Sequence, residues 1–183
     1  MAIFKYAERA YMSPKDLSNL IYYVTNPHKC LLIQSNMLYS NDYNLIIAQW
    51  LYYHQCYHKL NQNLAFQYIL SFNAQSEKEM LNPFMHTTIM RDICNLKCFN
   101  DVNIFTSLHK PDGSRAEHIH IIVDTINKKT GNQLFVPRHD LISQIGRILE
   151  PHRISLIGYN DYINSHRTPQ HQNAYPALIR FAV

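Results

Sequence analysis

Four of the six residues in the run His118, Ile119, His120, Ile121, Ile122, Val123 are β-branched, and such a run disfavours helix and reads as a strand. Alternate side chains of a strand share a face, so His118 and His120 point the same way. Residues 102–109 read as the preceding strand, closed by a third imidazole, His109. The segment between them carries Pro111, Asp112 and Gly113, and predicts a turn joining two antiparallel neighbours. Three imidazoles can thus meet on one sheet face.

Neutral imidazoles that converge are ordinary ligands for a divalent cation, and three of them leave positions open for water or substrate oxygens. Such a site acts as a Lewis acid on a phosphoryl group. A bare His-x-His fits a half-wet strand better than a metal site, and His109 at the end of the neighbouring strand tips the reading toward ligands. Polarising a phosphodiester still requires a nucleophile, either water or a side chain such as tyrosine. With 13 tyrosines in the chain, no single one is marked by its residue type.

A chain of 183 residues with 46% hydrophobic content closes one core, so a single domain is expected. The formal charge of +4, with eleven histidines able to add to it, suits an anionic partner such as nucleic acid. Lys5, Glu8 and Arg9 stand where the apolar core of a secretory signal would be, which places the four cysteines in a reducing cytoplasm. Neither Cys94 with Cys98 nor His54, Cys56 and His58 has the paired spacing of a zinc site, and both groups are expected to be structural. The apolar stretch 43–57 is broken by Asn44, Gln49, His54 and Gln55, so no membrane span is expected.

Along the chain, residues 3–7 read as a short strand. Ser13, Pro14 and Asp16 form a helix start, and that helix should stop at Asn26-Pro27. Residues 31–34 fit strand or loop. Asp42 caps a helix to about Lys59, and Phe66, Tyr68, Leu70 and Phe72 alternate as a second long strand. Ser76 with Glu79 predicts a capped helix to about Leu96, with Pro83 either its true start or a kink. After the two histidine-bearing strands, Gly131 marks a turn, 133–136 a hairpin arm, 139–149 a helix and 154–159 a further strand. The polar segment 160–183 reads as a flexible arm or a closing edge strand, leaving 1–159 as the folded domain. The pattern predicts an α+β fold, a central antiparallel sheet of about five strands flanked by helices.

Two segments, NLIYYVTNPHK (19–29) and IFTSLHKPDGSRAEHIHIIVDTINKKTG (104–131), resemble the mobilisation relaxases of the HUH endonuclease superfamily, the VirD2-like nuclease domains of mobile plasmids and integrative elements. In these proteins a helix near the N-terminus carries a tyrosine followed by a hydrophobic residue, a variable one, Asn and Pro, then commonly Lys. Tyr23, Val24, Thr25, Asn26, Pro27 and Lys29 match that pattern, which implies Tyr23 as nucleophile with Tyr22 as runner-up, and Asn26 and Lys29 beside the DNA. The strand FQYILSFN looks like the second motif, where a serine contacts DNA near the nick, and Ser71 falls there. The third motif lands on His109, His118 and His120. The family often has an acid after the first histidine, for which Asp112 and Glu117 are candidates. Asp124 departs from the usual Asn after the hydrophobic run, and Cys30 from a common Thr. The resemblance covers residues 3–149 with motif order preserved.

It implies a site- and strand-specific nickase acting on single-stranded DNA at a transfer origin, with Mg²⁺ or Mn²⁺ on the three histidines and a 5′-phosphotyrosyl intermediate. Accessory relaxosome proteins and a coupling protein are the implied partners. Rolling-circle initiators and single-tyrosine transposases use the same chemistry but place the tyrosine after the histidine strand, which would point to Tyr159 or Tyr162. A non-catalytic DNA-binding accessory protein is the reading from outside this chemistry.

Overall fold

The structure, a computed structural model, describes residues 1–7, 9–37, 42–74, 80–113 and 115–157. Its elements run β1 (Ala2–Tyr6), α1 (Pro14–Val24), β2 (Cys30–Ser35), α2 (Tyr43–Cys56), β3 (Ala65–Phe72), α3 (Pro83–Cys94), β4 (Ile104–His109), β5 (His118–Asp124) and α4 (Arg138–Leu149). The strands form one sheet in the order β1-β3-β5-β4-β2, every pair antiparallel. This is the α+β architecture expected from the sequence.

The β-branched run lies at the centre of the sheet for a physical reason. Every residue of β4 and β5 is buried, because helices cover both faces. On one face Phe105 and Ile122 pack with Leu17 and Ile21 of α1 and Ile46 and Trp50 of α2. On the other, Ile119, Ile121 and Val123 pack with Ile89, Met90 and Ile93 of α3 and Leu141, Ile145 and Leu149 of α4.

Helix α1 begins where its caps require: the Ser13 hydroxyl accepts from Asp16 N at 3.1 Å, and Pro14 occupies the first turn. Helix α3 starts at Pro83, capped by the Asn82 side chain, since proline fills a first-turn position whose N–H has no helical partner. Ser76 and Glu79, where the sequence suggests a cap, lie outside the described residues. Helix α2 ends at Cys56 rather than Lys59, as His58 takes a left-handed φ of 55° and Lys59 N returns to His54 O at 2.7 Å.

Residues 31–34, ambiguous in sequence, belong to strand β2. The arm expected at 133–136 is reduced to one bridge, Ile126 to Gln133, and a bond from Leu134 N to Thr125 O at 2.7 Å. Likewise 154–157 adds only a parallel bridge from Leu156 to Ala2. Residues 158–183, including Tyr159, Tyr162 and the suggested closing strand, lie outside the described residues. Among the described residues, no helix is long and apolar enough to cross a membrane.

Candidate active site

Antiparallel register brings the histidines together. His109 is the cross-strand partner of His118, and Ser107 of His120, so the three imidazoles share the face covered by α1 and α2. Ring centroids are 5.1 Å apart for His109 and His118, 4.5 Å for His109 and His120, and 4.8 Å for His118 and His120. One nitrogen from each ring lies within 4.8 Å of the others.

The remaining nitrogens determine what the cluster can bind. Val24 O is one of the carbonyls left over at the C-terminus of α1, and His109 Nε2–H donates to it at 2.8 Å, which leaves Nδ1 as the free lone pair. His118 Nδ1–H donates to Ala116 O at 2.7 Å, leaving Nε2. His120 Nδ1 is engaged by the Gln67 side-chain amide at 3.0 Å, and its Nε2 is buried without a hydrogen-bond partner. Gln67 in turn accepts from the Tyr11 hydroxyl. With its amide nitrogen toward His120, Gln67 places the imidazole proton on Nε2; a half-turn of the amide places it on Nδ1 and frees Nε2 for a cation.

Burial lowers all three histidine pKa values and is in each case the largest cause, opposed in part by the Val24 and Ala116 carbonyls at His109 and His118. At His120 burial, reinforced by the neighbouring imidazoles, carries the value to about 2. The rings are therefore neutral with lone pairs available. Three neutral imidazoles, an orphaned buried nitrogen and pinned outer nitrogens fit a divalent cation.

The last turn of α1 brings one tyrosine over this cluster. The Tyr23 ring lies 5.6 Å from that of His120 and 6.0 Å from that of His109, edge-on to both, while the residue remains 40% exposed. Its hydroxyl accepts from Arg115 Nη1 at 2.7 Å. Tyr22 faces elsewhere, donating to Asn44 of α2 at 2.8 Å.

Of the other residues singled out in the sequence, Ser71 is half-buried and is the cross-strand partner of His118, on the histidine face. Asn26 caps its own turn, its side chain accepting from His28 N at 2.9 Å. Lys29 and Asp112 pair at 3.3 Å. Glu117 is fully buried with His86 Nε2 2.5 Å from its carboxylate, on the far side of the histidine strand's end. Asp124 is held by His54 Nε2 and Asn103 Nδ2, each at 2.8 Å, four residues along β5 from His120. Burial raises the Asp124 pKa, with the bond from His54 pulling the other way. Neither acid belongs to the three-histidine group. Gln67, Tyr11 and Arg115 were not singled out in the sequence. Gln67 carried one signal, a polar residue on the same strand face as Ser71.

A family model described as the MobA/VirD2-like nuclease domain of relaxases matches residues 23–144. The chain belongs to this relaxase family. The match opens at Tyr23, takes in all three histidines and closes within α4. None of the curated proteins and none of the solved structures matches the chain. As a relaxase nuclease domain it acts on DNA, nicking it for mobilisation.

Proposed function

We propose that the chain nicks one strand of single-stranded DNA at a transfer origin and rejoins it by transesterification, with Tyr23 as nucleophile. One observation carries the reading: Tyr23 alone of the two tyrosines on the last turn of α1 packs its ring against His109 and His120 and keeps an exposed edge. The Tyr23 oxygen attacks the scissile phosphorus in line as the bond to the 3′-oxygen breaks, giving a 5′-phosphotyrosyl link and a free 3′-hydroxyl. The 3′-hydroxyl reverses the step on rejoining. A divalent cation, Mg²⁺ or Mn²⁺, held by His109, His118 and His120 supplies Lewis-acid polarisation of the phosphodiester.

Around that centre Ser71 has its place beside His118 to meet the strand near the nick, while Lys29 and Asn26 border the exit of α1 and contact phosphate. Of the acids Asp112, Glu117 and Asp124, candidates for supporting the site or for its base, Asp112 has the supporting part, bracing the loop beside Tyr23, while Glu117 and Asp124 pair with His86 and His54. Accessory relaxosome proteins and a coupling protein are the partners of such a nickase, working in the cytoplasm, where its four free cysteines stay reduced.

The test uses fluorescent single-stranded oligonucleotides tiling the DNA that flanks the coding gene, with MnCl₂, resolved on denaturing gels. A covalent adduct should form with the parent and with Tyr22→Phe, and vanish with Tyr23→Phe. An adduct that persists in Tyr23→Phe overturns the nucleophile.

A further inference from the structure

We infer that Arg115 is a catalytic residue of this reaction, stabilising the Tyr23 oxygen as it gains negative charge; the inference rests on Tyr23 being the nucleophile. Arg115 lies on the loop between β4 and β5, and its Nη1 donates to the Tyr23 hydroxyl at 2.7 Å. A guanidinium on a surface loop is ordinarily free to sample many rotamers, and this one is anchored from its backbone outward. Arg115 N donates to Asp112 Oδ1 at 3.1 Å, Asp112 N donates to Arg115 O at 3.2 Å, and Asp112 Oδ2 pairs with Lys29 Nζ at 3.3 Å. Lys29 follows the helix that carries Tyr23, so both ends of the Arg115 to Tyr23 bond are referenced to α1. The acid and the lysine singled out in the sequence thus acquire a joint task as the brace of this loop.

Guanidinium chemistry limits the role. Arginine stays protonated, so it cannot take the phenolic proton, which leaves to solvent. It donates to the oxygen through the step in which the Tyr23 oxygen bonds to phosphorus and the 3′-oxygen departs and takes a proton from solvent. In rejoining, the same donor stabilises Tyr23 as the leaving group. The guanidinium fork has N–H groups beyond the one on Tyr23, and these can also donate to a non-bridging phosphate oxygen. Such a preorganised donor matters more in the transition state than in the ground state, because charge on the phenolic oxygen develops only then.

Single-turnover adduct formation on the flanking oligonucleotides, with anisotropy of uncleaved complexes in chelator, tests this. Arg115→Ala should slow adduct formation about 100- to 1000-fold while weakening binding by less than about tenfold. Guanidinium chloride at millimolar concentration should restore part of that rate and nothing in Tyr23→Phe. Adduct formation by Arg115→Ala within about threefold of the parent overturns the inference, as does an equal loss of rate and binding without rescue. Tyr23→Phe separates the two failures: if it is inactive while Arg115→Ala is fully active, only the role of Arg115 falls, and if it still forms adduct the nucleophile falls and Arg115 with it.

Discussion

Replacing Gln67 by leucine should weaken divalent-metal binding without touching any ligand. Gln67 is 6% exposed and His120 2%, so neither has water to fall back on. A cation on His120 Nε2 obliges the proton to reside on Nδ1, and that N–H needs an acceptor, which is the Gln67 amide oxygen after its half-turn. Leucine, close in volume, removes the acceptor and leaves a buried N–H unpaired, at about 1–3 kcal/mol. Without metal the proton is free to move to Nε2, so the cost falls mainly on the loaded state and becomes a loss of about 10- to 100-fold in affinity. Gln67→Glu retains an acceptor beside Nδ1 and should bind at least as tightly as the parent. Isothermal titration with MnCl₂ at about pH 7.5, where the imidazoles are neutral, reads both variants. Affinity of Gln67→Leu within about twofold of the parent would refute the tautomer argument. So would equal losses in Leu and Glu, which would reduce Gln67 to a packing residue.

The remaining predictions concern stability. His54→Ala removes one of the two side-chain donors to Asp124, leaving Asn103, in a site where both members of the pair are 0% exposed, and should cost about 1–3 kcal/mol in urea unfolding; a loss below about 0.5 kcal/mol would mean that the bond contributes nothing to stability. In chelator the depressed histidines make stability pH-dependent: their folded pKa values lie below the unfolded one, so the contribution is complete above about pH 6.5 and is lost as pH falls, by up to about 1.4 kcal/mol per pH unit for His120. Asp124, raised on folding, has the opposite sign, its contribution being lost as pH rises through its folded value. His120→Asn should therefore show a shallower acid loss than the parent, and an unchanged slope would contradict the burial argument. Gly131 has φ +69°, and an added Cβ would run into the Tyr57 ring at Cδ1, so Gly131→Ala should lower stability by about 1–3 kcal/mol in the same assay.

What could be read from the sequence was what local rules determine. The cap at Ser13, the stop after Val24 and the alternation of β3 depend on neighbours a few residues away, and the period of two alone brings His118 and His120 to one face. Alternation does not say what covers each face of β3: Phe66 and Leu70 point to one helical layer, and Gln67 and Ile69 face the layer that holds α1. The burial of Gln67 depends on Tyr11, 56 residues earlier, and on His120, 53 residues later. Arg115 was invisible for the same reason, since Tyr23 is 92 residues away. The weak arms at 133–136 and 154–157 failed differently, having alternation enough for strands but a single bridge each to pair with.

The acids were the hardest to place, and their positions bear on the chemistry. Glu117 and Asp124 flank the histidine pair in sequence, so a carboxylate supporting the ligands or acting as base was the expectation. Glu117 is committed to His86 and Asp124 to His54 and Asn103, while Asp112 is committed to Lys29 and to its own loop. Among the described residues the candidate metal group is therefore imidazole alone. Carboxylate ligands would cancel part of a divalent charge before any substrate arrived. Neutral imidazoles would leave the charge of a bound cation whole for a phosphodiester, and under the proposed mechanism the Arg115 guanidinium would add to it from the solvent side. The buried acids are thus occupied away from the imidazole group, Glu117 by His86 and Asp124 by His54 and Asn103.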